Sequence, residues 1–128
     1  MIIKKYPLIT FSTEPESDII FMEFPVTVKV DLEKAREIVR CRLQFTKNRQ
    51  HYLISDTTNV QHVTAEAKEF LQQPDTGLKN IIGAAFIGNN PVAALIANIF
   101  LKTPKDFEAR FFPSREAAVN WIEEQKIK

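Results

Sequence analysis

The residues of this sequence that could do metal, acid–base or nucleophilic chemistry are few and widely spaced. The candidates are the single cysteine, Cys41, the two histidines, His51 and His62, and a carboxylate, Asp56, that follows an apolar run. A metal site needs several such ligands close together, and a nucleophilic cysteine needs a neighbouring base. His62 and Asp56 could be weighed as ligands, but positions in a solvent-exposed loop explain both residues better. We therefore expect no metal ion and no cofactor.

The segment Asp56-Thr57-Thr58 resembles a phosphoryl-transfer centre, because such an aspartate commonly lies where a parallel strand ends. Those centres usually hold Mg²⁺ with a second carboxylate beside the first, and Ser55 stands in that place here. Asp and Thr also favour turns in which the side chain bonds to nearby backbone. We interpret the segment as such a turn. With three scattered glycines, no phosphate-binding loop or nucleophile elbow can form, so the sequence predicts a protein that is not an enzyme.

The composition is that of an ordinary globular protein. The chain has 128 residues, of which 45% are hydrophobic and 26% charged, and its formal net charge is +1. This length predicts one domain over residues 1–128, and the balanced charge gives no field that would attract nucleic acid. A single cysteine fits a reducing compartment, and neither a secretory signal nor a membrane-spanning run is recognisable. We expect a cytoplasmic protein.

Apolar runs and helical periodicity predict an α/β fold: a mixed, largely parallel sheet of about five strands with about four helices. An opening hairpin makes the sheet mixed, and an apolar run on both strand parities marks the central strand, Ile81–Ile87. The predicted strands are Leu8–Ser12, Ile19–Phe24, Tyr52–Ser55, Ile81–Ile87 and Phe107–Phe112. The predicted helices start after the capping residues Asp31, Thr64, Asn90 and Ser114.

The first predicted helix is amphipathic. Leu32, Ala35, Ile38, Val39 and Leu43 recur at helical spacing and form its buried side. The remaining positions are charged and are assigned to its solvent side: Glu33, Lys34, Arg36, Glu37, Arg40 and Arg42.

The third predicted helix, Val92–Leu101, is apolar nearly all round, with Asn98 as its one polar residue. Packing on a sheet covers only part of such a helix, so another contact must cover the rest. Self-association ranks first, an apolar small molecule or lipid second, and a membrane surface third, because the helix lacks the basic rim of membrane-surface helices. The residues assigned to this contact are Leu95, Ile96, Ile99 and Phe100.

The order of elements around Asp56 resembles the STAS or SpoIIAA-like family. The likeness extends from the hairpin to the helix that contains Trp121, and the chain most resembles small relatives of unknown role, which also finish with an aromatic strand and a helix. The family includes anti-sigma factor antagonists, stressosome components and the cytoplasmic tails of anion transporters. The resemblance implies a regulatory domain that binds a protein partner.

Antagonists of this family carry an Asp-Ser-Ser-Gly or similar motif at the start of the short helix, where a partner kinase phosphorylates a serine. That motif aligns with Thr64-Ala65-Glu66-Ala67, and Glu66 takes the place of the phosphorylated residue. Three explanations stay open: partner binding is not phospho-regulated, a neighbouring hydroxyl of Thr64 or Thr58 has taken over, or the usual partner is absent. We favour the first or the third.

The carboxyl end of the predicted sheet is therefore the expected partner-binding region, as the resemblance and the usual position of sites in α/β sheets both indicate. The residues assigned to it lie in the loop after the third strand, at the start of the short helix and in the following turn: Thr57, Thr58, Asn59, Thr64, Glu66, Asn89 and Asn90.

Overall fold

A computed structural model of the protein describes residues 1–127, which form eight strands and four helices. The strands are β1 (Ile2–Lys5), β2 (Thr10–Thr13), β3 (Ile19–Glu23), β4 (Val28–Val30), β5 (His51–Asp56), β6 (Val60–Val63), β7 (Ile81–Ile87) and β8 (Ala109–Phe112). The helices are α1 (Leu32–Phe45), α2 (Ala65–Leu71), α3 (Pro91–Leu101) and α4 (Arg115–Lys126).

Six of the strands form one mixed sheet in the order β1-β2-β3-β5-β7-β8. The pairs β1/β2 and β2/β3 are antiparallel, whereas β3, β5, β7 and β8 are mutually parallel. The predicted hairpin corresponds to β2 and β3, and β7 lies in the interior of the sheet. The predicted α/β class, the mixed and largely parallel sheet and the four helices are confirmed.

Three short strands were not predicted. β1 lies at the sheet edge with all four residues exposed, so it lacks the apolar alternation that marks a half-buried strand. β4 and β6 form a separate parallel pair, with Val28 opposite Val60 and Val30 opposite Val63. The last predicted strand is also shorter than expected, because β8 begins at Ala109 and not at Phe107.

Helices cover the two faces of the sheet unequally. On one face, α1, α2, α3 and the β4/β6 pair enclose the larger core, which includes Phe11, Leu53, Ala84 and Ile96. On the other face, α4 packs alone and contributes Ala118, Trp121 and Ile122 to a smaller core around Ile54 and Ala85. These three residues form the buried side of α4.

The helix starts agree with the predicted caps. Each capping side chain accepts a hydrogen bond from the backbone amide three residues later, at 2.9 Å for Asp31, 3.2 Å for Thr64, 2.8 Å for Asn90 and 3.2 Å for Ser114. These bonds satisfy amides that would otherwise have no partner in the first helical turn. Pro91 occupies the first helical position after Asn90, where a missing backbone N–H costs nothing.

The prediction for Arg42 was wrong. We assigned it to the solvent side of α1, yet only 1% of its surface is exposed. Arg42 follows Ala35, Ile38 and Val39 at helical spacing, so it continues the buried stripe of the helix.

None of the helices within residues 1–127 has both the length and the apolar character needed to cross a bilayer.

Candidate functional site

The loops that follow β5 and β7 lie side by side at the carboxyl edge of the sheet. Asp56 and Ile87, the last residues of these parallel strands, are register partners. Asn90 Nδ2 donates a 3.1 Å hydrogen bond to the Thr58 carbonyl, which joins the two loops directly. The predicted proximity of the Asp56 and Asn90 loops is confirmed. We call this edge, from Asp56 to Asn59 and from Gly88 to Asn90, the rim.

The turn at the start of the rim is the one expected from the sequence. The Thr58 amide donates to Asp56 Oδ1 at 2.9 Å, which fixes the Asp carboxylate in an Asx turn. Thr57 is only 3% exposed, and its hydroxyl donates to the Ala93 carbonyl at 3.0 Å. Asp56 and Thr57 therefore stabilise the junction between β5 and α3.

The other residues assigned to partner binding, in the rim and at the start of α2, divide into two groups. Asn59, Thr64 and Asn90 use their side chains internally, since Asn59 Nδ2 donates to the Phe24 carbonyl at 2.7 Å and the other two cap helices. Glu66 and Asn89 are exposed, and within residues 1–127 the Thr58 hydroxyl makes no hydrogen bond. In this second group, Asn89 Oδ1 accepts a long 3.5 Å hydrogen bond from Asn90 Nδ2, so these side chains take little part in the internal bonding.

Helix α3 has an outward and an inward side, which separates the apolar residues assigned to a contact. Leu95 is 68% exposed and Val92 is 46% exposed, whereas Ile96 is buried. Phe100 is partly buried and stacks on Phe86, with the ring centroids 6.0 Å apart. Ile99, also partly exposed, lines a surface groove between α2 and α3.

The inward side of α3 borders an apolar cavity of about 100 Å³. Most of its wall consists of aliphatic and aromatic side chains from the larger core, including Met22, Phe24, Val30, Leu53, Ala84, Phe86, Ile96, Phe100 and Phe107. Protein interiors contain few voids much larger than a water molecule.

Most polar groups in the cavity wall are bonded to the protein itself. Lys105 Nζ donates to the carbonyls of Phe100, Leu101 and Thr103 at 3.1, 3.1 and 2.6 Å, which neutralises the carbonyl end of α3. Burial lowers the pKa of Lys105. The exception among the lining hydroxyls is Ser55, which is 5% exposed and makes no side-chain hydrogen bond within residues 1–127.

Arg42 and His51 form a buried pair without a carboxylate. Arg42 Nη1 donates to His51 Nε2 at 2.9 Å and to the Lys79 carbonyl at 2.7 Å, while Nη2 donates to the Gly77 carbonyl at 3.1 Å. His51 Nδ1 donates to the Arg49 carbonyl at 2.9 Å, so the ring is neutral with its proton on Nδ1. Burial, together with the charge of Arg42, lowers the pKa of His51 to about 4.

The arrangement supports contact and packing better than covalent chemistry. No group of three or more His, Cys, Asp or Glu within residues 1–127 could hold a metal ion. Cys41 is 4% exposed, and burial raises the pKa of its thiol, which disfavours the reactive thiolate. His51 is neutral and enclosed, so it is not accessible to a substrate.

Sequence reasoning missed the cavity and the buried Arg42–His51 pair. The helical spacing of Arg42 relative to Ala35 could have revealed its inward position. Nothing in the sequence indicates that Lys105 folds back onto the end of α3, or that the side chains around Ser55 leave space unfilled.

A family model described as a domain of unknown function, DUF7793, matches residues 13–126. No curated protein matches the chain. Among solved structures, the chain is similar to an uncharacterized protein of the DUF3478 family from Shewanella loihica PV-4, described as having a SpoIIAA-like fold. The two are 17% identical, with a TM-score of 0.59 over 88% of this chain and 90% of that chain. This likeness shows that the chain has a SpoIIAA-like fold, as the resemblance implied.

Proposed function

This chain belongs to the DUF7793 family, and we propose that it is a non-catalytic, cytoplasmic interaction domain that binds another protein. The proposed surface combines side chains of the rim, Glu66 at the start of α2 and the outward side of α3, and we call it the rim–α3 surface. It consists of Thr58, Glu66, Asn89, Val92 and Leu95.

The observation that carries this proposal is the exposure of two apolar side chains on a helix that is fixed next to the rim. Val92 and Leu95 lie in the first turns of α3, directly after Asn90, whose side chain holds the two rim loops together. Exposed aliphatic groups beside polar rims are typical of surfaces that bind proteins. A fixed helix also loses little conformational freedom when a partner binds.

The partner recognises this surface without phosphorylation. Glu66 supplies a permanent negative charge in the first turn of α2, where a carboxylate is favourable near the free amides. The Thr64 hydroxyl caps α2 by accepting a hydrogen bond from the backbone amide of Ala67. Because a phosphate on Thr64 would disturb that cap, Glu66 is the better candidate for a constant recognition element.

A second copy of the chain is an alternative partner, favoured by the lack of charge along the start of α3. From Asn89 to Leu101 no residue is ionisable, so two copies of this helix can approach each other without repulsion. The first acidic or basic residue after the helix begins is Lys102. Analytical ultracentrifugation of wild type and Leu95→Glu tests this: a dimer that Leu95→Glu converts to monomer supports self-association, and a wild-type monomer contradicts it.

Charge substitutions test the rim–α3 surface as a whole. Tagged wild type, Glu66→Lys and Leu95→Glu are compared in capture from native cells with quantitative mass spectrometry. The control is Val26→Glu, since Val26 is 69% exposed and lies before β4, outside the proposed surface. We expect the same specific partner with wild type and with Val26→Glu, and at least tenfold less with either surface variant. Equal recovery with all four proteins would contradict the proposal.

A further inference from the structure

We propose that the interior cavity beside α3 is a binding site for a small, uncharged molecule with an apolar body and one hydrogen-bonding group. This inference is independent of the rim–α3 surface, because it concerns the inward side of the helix. It rests on the shape and lining of the cavity and on the state of Ser55.

The size and lining of the cavity determine how large the ligand can be and require that most of it is apolar. An apolar cavity of about 150 Å³ stays dry and binds benzene. The cavity here measures about 100 Å³, and its wall is largely aliphatic and aromatic. It therefore accepts a body of about five or six carbon atoms, smaller than or similar to a single ring. The lining side chains on opposite sides of the body include Leu53 from the sheet and Ile96 from α3.

Ser55 supplies the one polar contact. It lies on β5 between Leu53 and Thr57, on the face of the sheet that borders the cavity, and it is among the lining residues. Every fully enclosed side-chain nitrogen or oxygen within residues 1–127 has a hydrogen-bond partner. The Ser55 hydroxyl has none, although the residue is 5% exposed. Its oxygen is therefore not fully enclosed, and because Ser55 lines the cavity, a ligand group there can donate to it or accept from it.

The two cations in the wall disfavour a charged ligand, because their Nη and Nζ donors are already bonded within the protein. Both Nη groups of Arg42 are bonded to backbone carbonyls and His51, and Lys105 Nζ is bonded to three carbonyls. An anion would have to replace these bonds, whereas a cation would be repelled by both residues. A small hydrocarbon that carries one hydroxyl or carbonyl group can form a hydrogen bond with the Ser55 hydroxyl and incurs neither cost.

A matched pair of probes, cyclopentanol and cyclopentane, tests the proposal on the full chain. Binding is measured by methyl NMR titration, with the methyl groups of Val30, Leu53 and Ile96 as reporters in the cavity wall. We expect saturable shifts of these methyls with both probes. In Ser55→Ala the affinity for cyclopentanol falls about threefold to tenfold, the worth of one hydrogen bond, while the affinity for cyclopentane does not fall.

A second variant fills the cavity. Ala84→Leu places three more carbon atoms at the wall, so both probes lose binding while thermal unfolding shows that the fold is kept. Ala84→Leu adds volume next to the sheet and can perturb its packing. Ser55→Ala adds no volume, so its result does not depend on whether the sheet accepts the larger side chain. The proposal is overturned if neither probe gives saturable shifts, or if Ser55→Ala changes the affinities for the alcohol and the hydrocarbon equally.

Discussion

His51 should make the protein less stable as the pH falls from 7 to 5. Its imidazole accepts a hydrogen bond from the Arg42 guanidinium and is almost fully buried, so the folded protein resists protonation of the ring. In the unfolded chain the same ring has an ordinary pKa of about 6.5 and binds a proton readily. Protons therefore bind preferentially to the unfolded state and shift the equilibrium towards it.

The magnitude follows from the two pKa values. The folded-state pKa of His51 is lowered to about 4, first by burial and then by the charge of Arg42. A histidine whose pKa is lowered in the folded state makes its full contribution to the free energy of unfolding above about pH 6.5. That contribution is lost progressively as the pH falls towards about 4. Between pH 7 and pH 5 the loss from this one ring is about 2 kcal/mol.

The assay is urea unfolding of wild type and His51→Gln at pH 7 and pH 5, followed by fluorescence of the single tryptophan, Trp121. Glutamine can still accept from Arg42 and donate to Arg49, but it does not titrate. Wild type should lose about 2 kcal/mol more than His51→Gln over this interval, because all other ionisable groups are common to both proteins. Equal losses would show that His51 does not cause the pH dependence, as would an NMR titration that gave His51 a pKa of 6.5 or above.

Two other predictions concern the helix caps and the thiol. Asn90→Ala and Ser114→Ala each remove a helix cap worth about 1 kcal/mol. Asn90→Ala should destabilise the protein more, because Asn90 also donates a hydrogen bond to the Thr58 carbonyl. Urea unfolding measures both effects, and an equal or smaller effect of Asn90→Ala would show that this bond contributes little. Cys41 should react with a thiol reagent at least a hundredfold more slowly in the native protein than in denaturant, because it is buried and its pKa is raised. A thiol-release assay measures both rates. Comparable rates would mean that α1 opens readily.

Local chemistry was sufficient to predict much of the fold. The four caps were identified from residue type and position alone, because an oxygen-bearing side chain before an apolar helical stripe has few other roles. β7 was recognised because Ile81–Ile87 is apolar on both parities, which suits a strand in the interior of a sheet. These features depend on neighbours in sequence, so no knowledge of the tertiary structure was needed.

The β4/β6 pair was beyond that reasoning, because its stability comes from contacts between distant segments. Val28–Val30 is too short to show a period, and its partner strand lies about thirty residues later. Strand β1 was not predicted for a different reason: both of its sides are exposed and its sequence has no apolar alternation.

The proximity of the two loops was predicted, but the roles of their side chains were not. Sequence reasoning brought the Asp56 and Asn90 loops to one edge, because parallel strands end together. It could not separate Thr57, which bonds inside the protein, from Glu66, which points to solvent. The cavity beside Ser55 was also inaccessible to it, since an internal void depends on the volumes of many side chains packed together.

Site-specific photo-crosslinking in native cells shows whether the rim–α3 surface binds a protein. A photoreactive phenylalanine analogue is placed at Leu95 in one variant and at Val26 in the other, since the two sites are similarly exposed. We expect one discrete cross-linked protein from position 95, none from position 26, and loss of the product when Glu66→Lys is added. Cross-linking that is absent at position 95, or identical at both positions, would contradict this expectation.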